Sequence, residues 1–490
     1  MKGYKLSLIA IGVLTLVSSA QAALKTDKVT LKANRIVEYN KLPTSANNFS
    51  EIFSQGMIYG RLKANIFYYD WENEDKAGNV KDNAVMGYGG SVIYKTAPFY
   101  GVSTTLGVYT SQNPAWFRPD AADVAYYKSG KDTFSRYDVA KKGDFGMTVL
   151  GQAYLQYNIS KTSFYGGRQL FESIYTKSND TKMIPNTFDG ISMTSKDMPN
   201  TTIKLAYFTK QKLRDHSTTH DVIAFGGGST NVQKWSENDD SAVNKNLTVD
   251  RIGDNNSLII ASVTNTSIKN LKTNVSFAIV PDVLSNAVLE AHYKIPFSND
   301  WSIIPGIRYM QQFDNLDASY NVANLKGKHD GYKNPKSLDS NVLAMRVDIK
   351  KGAFLARLGY SQIADKADIV APWRGFPTGG FTRAMAQYNW YANTKTYMLR
   401  AGYDFSKAGI IPGFSMMARY AIQDFDDKKA GVQADSNALQ VEATQNISKN
   451  LEAKVRVGYV QVQDDIRDIN GNLKNDISYG EYRFELNYFF

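Results

Sequence analysis

Arg61, Lys63, Arg400, Arg419, Lys454, Arg456 and Arg483 are the side chains whose types and spacing are best suited to act together. Each lies on the polar parity of a segment whose other parity is apolar. In Leu451–Tyr459, Leu451, Ala453, Val455, Val457 and Tyr459 share one face of an extended chain, and Glu452, Lys454, Arg456 and Gly458 share the other. Arg400 opposes Tyr397, Leu399, Ala401, Tyr403 and Phe405, and Arg419 opposes Phe414, Met416, Ala418 and Tyr420. Like charges facing narrow water concentrate anions, and a guanidinium presents two donors in the geometry of a carboxylate. Glu442, Glu452, Glu481 and Glu485 belong to the same segments and can pair with some of these cations.

Other chemistry has few handles. His216 and His220 are spaced i, i+4, but they sit in the polar, glycine-bearing stretch Arg214–Asn255 with no helical period to aim both at one metal. Asp464–Asp476 lacks the ligand spacing and closing glutamate of a calcium loop. Gly226–Gly228 follows no strand–helix pattern that would cradle phosphate. The chain has no G-x-S-x-G, only 4 histidines and no cysteine, so a Ser–His hydrolase, thiolate chemistry and Cys-ligated metal lose their residues. No enzymatic activity, metal, cofactor or nucleic-acid partner is expected.

The elements that carry the cations read as strands. Lys2 and Lys5, the apolar run Leu6–Val17 and Ala20-Gln21-Ala22 mark residues 1–22 as a secretory signal. Its removal takes two lysines and no acid, lowering the net charge from +10 to +8. Ala23–Gln55 is polar and aperiodic and is expected to stay periplasmic or tuck into a lower mouth. Residues 56–490 alternate from Met57–Trp71 to Ser478–Phe490. Long polar connections (Ser111–Gly143, Leu170–Thr187, Arg214–Asn255, Phe313–Leu338 and Ile363–Thr394) interleave with short ones such as Asn158–Lys161, Lys196–Asn200, Ser267–Asn270 and Lys350–Gly352. That sorting predicts an all-β, transmembrane antiparallel β-barrel of about 18 strands, with short periplasmic turns and long extracellular loops. Arg383–Asn393 looks extended, but the parity of crossings assigns it to an external loop. The 31 tyrosines and 24 phenylalanines suit girdles at the two interfaces of such a barrel. Closure sets the last strand beside the first and gathers the seven cations on one arc of wall. Leu170–Asn186 (LFESIYTKSNDTKMIPN) is long enough to fold inward as a constriction. It carries Phe171, Glu172, Tyr175, Lys177 and Asp180, and carboxylates facing a basic wall would set up a transverse field that orients zwitterionic solutes.

Four stretches resemble the OprD family of substrate-selective outer-membrane porins: FSEIFSQGMIYGRLKANIFYYDW (Phe49–Trp71), GRQLFESIYTKSNDTKMIPNTFDG (Gly167–Gly190), APWRGFPTGGFTRAMAQYN (Ala371–Asn389) and YDFSKAGIIPGFSMMARY (Tyr403–Tyr420). The resemblance implies an 18-stranded barrel, an inward third loop, and a basic ladder through a narrow eyelet, with Arg61 and Arg419 inside matching stretches. A lysine at position 63 is a point charge where the family pattern implies an arginine fork. The combined expectation is a bacterial outer-membrane channel for passive diffusion of small anionic or zwitterionic carboxylates: amino acids, peptides or organic acids. Solutes would approach past Arg374 and Arg383 in the Ile363–Thr394 loop. The competing readings are a general, weakly selective porin, an outer-membrane barrel enzyme acting on lipid, and an adhesin. Outer-membrane lipid and lipopolysaccharide would surround the wall of either a monomer or a homotrimer.

Overall fold

A computed structural model describes residues 29–31, 33–39, 43–74, 81–126, 133–226, 243–385 and 387–490; the signal segment 1–22 lies outside them. A short hairpin of β1 (Val29–Leu31) and β2 (Val37–Tyr39) precedes a helix, Phe49–Ser54. Asn48 caps that helix by accepting the Glu51 N–H, and Glu51 reaches back to the Asn47 N–H at 2.7 Å. The membrane-length strands follow: β3 (Met57–Trp71), β4 (Asn83–Lys95), β5 (Val102–Gln112), β6 (Met147–Ile159), β7 (Thr162–Gln169), β8 (Thr187–Ser195), β9 (Thr201–Lys212), β10 (Leu258–Asn265) and β11 (Leu271–Val280). Then come β12 (Leu284–Tyr293), the two-residue stub β13 (Ile295–Pro296), β14 (Trp301–Asp314), β15 (Ser340–Lys351), β16 (Phe354–Ile363), β17 (Lys395–Asp404), β18 (Phe414–Asp424), β19 (Ser436–Asn446), β20 (Leu451–Val462) and β21 (Tyr479–Phe489).

Apart from the stub these are 18 strands, each antiparallel to its neighbours, and they close into one barrel because β21 pairs with β3. The seam runs from Tyr479 opposite Trp71 to Phe489 opposite Arg61. Phe490 extends it, its N–H donating to the Gly60 carbonyl and its carbonyl accepting the Gly60 N–H. Glycine is required beside the seam: a Cβ at Gly90 would lie 1.9 Å from the Arg61 carbonyl oxygen. The alternation in sequence becomes two solvents in space. On β17, Tyr397 and Leu399 are 49% and 54% exposed, whereas Thr396 and Met398 are 0% and 5%. Large apolar side chains outside, with polar side chains or ones packed against the loops inside, are the arrangement of a wall between hydrocarbon and a filled, partly aqueous interior.

One end of the barrel carries tight links, where Asn200 and Asn270 take left-handed φ values of +53° and +66° that asparagine tolerates. The other end carries the connections numbered here as loops 1–9. Loop 5, residues 281–283, breaks the long-loop pattern, because β11 and β12 pair through to Val280–Leu284 and Asp282 turns the chain at φ +59°. Arg383–Asn393 forms no strand among its described residues and belongs to loop 7, residues 364–394. Side chains of loop 3 (residues 170–186), loop 4 (213–257), loop 6 (315–339), loop 7 and loop 8 (425–435) meet in one apolar cluster with inward residues of the wall. Asp368 ties loop 7 to loop 6 by accepting from the Tyr332 hydroxyl (2.7 Å), Asn324 Nδ2 (2.9 Å) and the Leu325 N–H (2.9 Å). The loops are thus a packed body inside the mouth, and a barrel that would be open by its strand count is narrowed by them.

Candidate functional site

Loop 3, residues 170–186, crosses the bore. At one side Phe171 packs edge-on against Phe208 with ring centroids 5.2 Å apart. The Tyr175 hydroxyl reaches the carbonyls of Ser276 (2.9 Å) and Asn286 (3.1 Å) on β11 and β12. At the opposite side the Asp180 carboxylate meets Arg61 Nη2 at 2.7 Å and Lys63 Nζ at 3.5 Å, and its carbonyl accepts from both. Glu172 accepts from the Ser178 N–H (2.7 Å) and hydroxyl (2.6 Å), which folds the loop, and Lys177 lies 3.5 Å away. Loop 7 runs alongside: the Lys177 N–H donates to the Trp373 carbonyl (3.0 Å) and the Gly375 N–H to the Tyr175 carbonyl (2.8 Å). Only glycine fits there, since a Cβ at Gly375 would lie 2.1 Å from the Tyr175 carbonyl carbon.

Between these loops and the β18–β21 wall lies a cavity of about 190 Å³. Its basic lining is Lys182, Arg214, Arg383, Arg419, Arg456 and Arg483, against the single carboxylate of Glu481. Glu481 is engaged by the Tyr69 hydroxyl, and Arg456 lies 3.8 Å from it. Arg419 Nη1 donates to the Arg383 carbonyl at 3.0 Å. The Arg383 guanidinium stacks 3.7 Å above the Phe376 ring, a cation–π contact that holds its plane without neutralising it. Burial, and beyond it the guanidiniums of Arg214, Arg374 and Arg419 working against the Tyr388 phenol, keep Arg383 below the ordinary arginine range. Arg400 is the cross-strand partner of Arg419, and among the described residues neither has a carboxylate at ion-pair distance. Tyr69, Met385 and Tyr388 supply the apolar part of the lining.

A profile of the OprD family, described as outer membrane porins, matches residues 134–484. The chain belongs to the OprD family. Among solved structures, its barrel is similar to OccK8 (OprE) of Pseudomonas aeruginosa, with a TM-score of 0.67 at 14% identity, over 90% of this chain and 99% of that one. OccAB1 of Acinetobacter baumannii gives 0.65 at 15% identity, over 90% and 97%. Pseudomonas aeruginosa OpdK, solved with vanillate, gives 0.63 at 13%, over 88% and 98%. No curated protein matches the sequence. This porin is therefore a bacterial outer-membrane protein, and its long-loop end faces outward as in the barrel pattern.

All seven cations named from the sequence point into the porin, but they do not form an open row. Arg61 and Lys63 are buried anchors of loop 3 rather than rungs facing water. Lys454 and Arg456 share Glu442 at 2.7 and 2.8 Å, and Arg483 holds Glu485 at 2.6 Å and the Thr181 carbonyl. Arg374 does not stand at an outer approach: it is buried, bridged through its backbone to Thr176 of loop 3. Arg383 lines the cavity beside loop 3, together with Thr181 and Lys182. Loops carry the difference, because parity says which wall residues face inward but not which loop acid lands on them. Lys182, Arg214 and Tyr388 had no strand parity to mark them, and composition alone does not distinguish them from solvated loop residues. His216 and His220 contact one another, Nδ1 to Nε2 at 2.8 Å, buried in loop 4.

Proposed function

We propose that this porin conducts small carboxylate-bearing solutes selectively and passively, and that the selective element is the guanidinium pair of Arg383 and Arg419 in the cavity beside loop 3, with Arg400 next to Arg419 on the neighbouring strand. The observation that carries this reading is that Arg383 and Arg419 line the cavity with no carboxylate at ion-pair distance among the described residues, while Glu481, the one carboxylate of the lining, is already engaged by Tyr69. A carboxylate entering there finds forked donors with few competing internal acceptors, and low local dielectric strengthens each contact. Asp180 and Glu172 bind loop 3 and leave these three guanidiniums to the solute. The vanillate seen in OpdK, a carboxylate, is of the same chemical class. Because Arg456 and Lys454 share Glu442, their charge is partly neutralised and they hold a carboxylate less strongly than Arg383 and Arg419, which favours release.

A double Arg383→Gln, Arg419→Gln variant, reconstituted in planar bilayers, tests the reading. In a potassium chloride gradient its reversal potential is expected to move from the anion side toward zero, with liposome uptake of carboxylates falling relative to their neutral analogues. An unchanged reversal potential would leave the second reading, a weakly selective porin, which the pairing of Arg61, Lys63, Lys454, Arg456 and Arg483 favours. Conductance that is not blocked by added carboxylate would point the same way.

A further inference from the structure

Among the described residues the hairpin of β1 and β2 is joined by three register pairs, Val29 with Tyr39, Thr30 with Glu38 and Leu31 with Val37. A ribbon that short is marginal in water, so its shape is held by what it touches. Val29 and Val37 are buried in a cluster with Tyr59, Ile93, Tyr109 and Val149, inward side chains of β3 to β6, and the Tyr39 and Tyr59 rings are 5.7 Å apart. At the tip, Asn34 and Arg35 both take left-handed φ, +59° and +61°. Two successive non-glycine residues there are costly and persist only where contacts over-determine them.

Those contacts are specific. Asn34 Nδ2 donates to Glu172 of loop 3 at 2.5 Å. The Arg35 guanidinium pairs with Glu452 on β20 and lies 3.2 Å from Glu485 on β21. The Arg35 carbonyl accepts from Arg61 Nη1 at 3.3 Å. The tip therefore touches loop 3 and the wall on both sides of the β21–β3 seam together. Glu452 has no other ion pair among the described residues, and its remaining contact is Asn487 Nδ2 at 3.3 Å.

We propose that this hairpin is a tethered plug, seated in the bore against loop 3 and latched by Arg35 to Glu452 and Glu485, and that its release widens the water-filled path. The seat is a small apolar patch and the latch is ionic, so the plug can leave without unfolding the barrel. This requires the chain to be a channel and does not depend on which solute it prefers.

Single-channel conductance of the full chain in planar bilayers tests the plug with three variants. Arg35→Glu faces Glu452 and Glu485 with like charge, and conductance is expected to rise at least about twofold as the path widens. Adding Glu452→Arg to it restores a pair of opposite sign and is expected to bring conductance back toward wild type. Val37→Asn unseats the apolar patch without altering bore charge, and is expected to raise conductance with the reversal potential unchanged. Wild-type conductance in both Arg35→Glu and Val37→Asn, or no return in the charge-swapped pair, would overturn the proposal. Because conductance and reversal potential are read separately, failure of the plug is distinguishable from failure of carboxylate selectivity.

Discussion

Asp180 shows how one acidic side chain can change the meaning of two basic ones. Its carboxylate lies buried between Arg61 and Lys63, where removing one partner leaves charge without compensation, a loss of roughly 3–5 kcal/mol in comparable buried pairs. Asp180→Asn is therefore expected to detach the far end of loop 3, raise open-channel noise and expose the loop to protease while the barrel stays closed. A quiet, protease-resistant channel would show that the backbone carbonyl contacts to Arg61 and Lys63 suffice. His216 and His220 make a second residue-scale prediction. Burial, followed for His216 by its histidine partner, holds both below the ordinary imidazole range, His220 down to about 3 even though the Asp221 carbonyl favours its protonated form. Lowered values mean that the closed loop binds fewer protons than the opened one. Stability is therefore full above the ordinary histidine value and is lost as pH falls from there toward the folded value. Hydrogen-exchange protection factors in loop 4, corrected for the intrinsic rate, are expected to fall between about pH 6.5 and pH 4, and a His216→Gln, His220→Gln variant to flatten that dependence.

At the scale of elements, loops 3 and 7 are zipped by backbone hydrogen bonds beside Gly375, which fixes the two loops that line the proposed eyelet. Gly375→Val puts side-chain atoms where the Tyr175 backbone lies. It is expected to separate the two loops and raise conductance, with little change in the heat or urea resistance of the barrel. Retained wild-type conductance would mean that Tyr175, anchored on β11 and β12, fixes loop 3 without help from loop 7. The strands were legible at this scale, β3, β7 and β9 to their terminal residues, because a half-buried strand writes its period into the chain. Loop courses were not. Leu170–Asn186 is long enough to turn inward, yet its length says nothing of the Asp180 anchor or the backbone bridge from Thr176 to Arg374.

For the molecule as a whole, two solvents separated by one layer of strands make mutational cost depend on parity. Leu399→Arg sets a cation in hydrocarbon, a loss of about 2–4 kcal/mol near the midplane. Arg400→Gln, one residue on, is expected to leave urea unfolding in liposomes nearly unchanged and to alter ion preference instead. Equal effects on stability would contradict the assignment of faces. What the sequence determined by itself was the wall: strand number, the last strand beside the first, and which side of each strand meets water, all consequences of a period of two repeated along the chain. What only the tertiary structure decided was the bore. Whether Arg61 faces solute or Asp180, whether Arg383 guards the mouth or lines the eyelet, and where Arg35 finds its acids depend on contacts between residues far apart in the chain. Irregular loops carry no period from which such contacts can be read, and their positions follow from packing against a barrel that must already be closed.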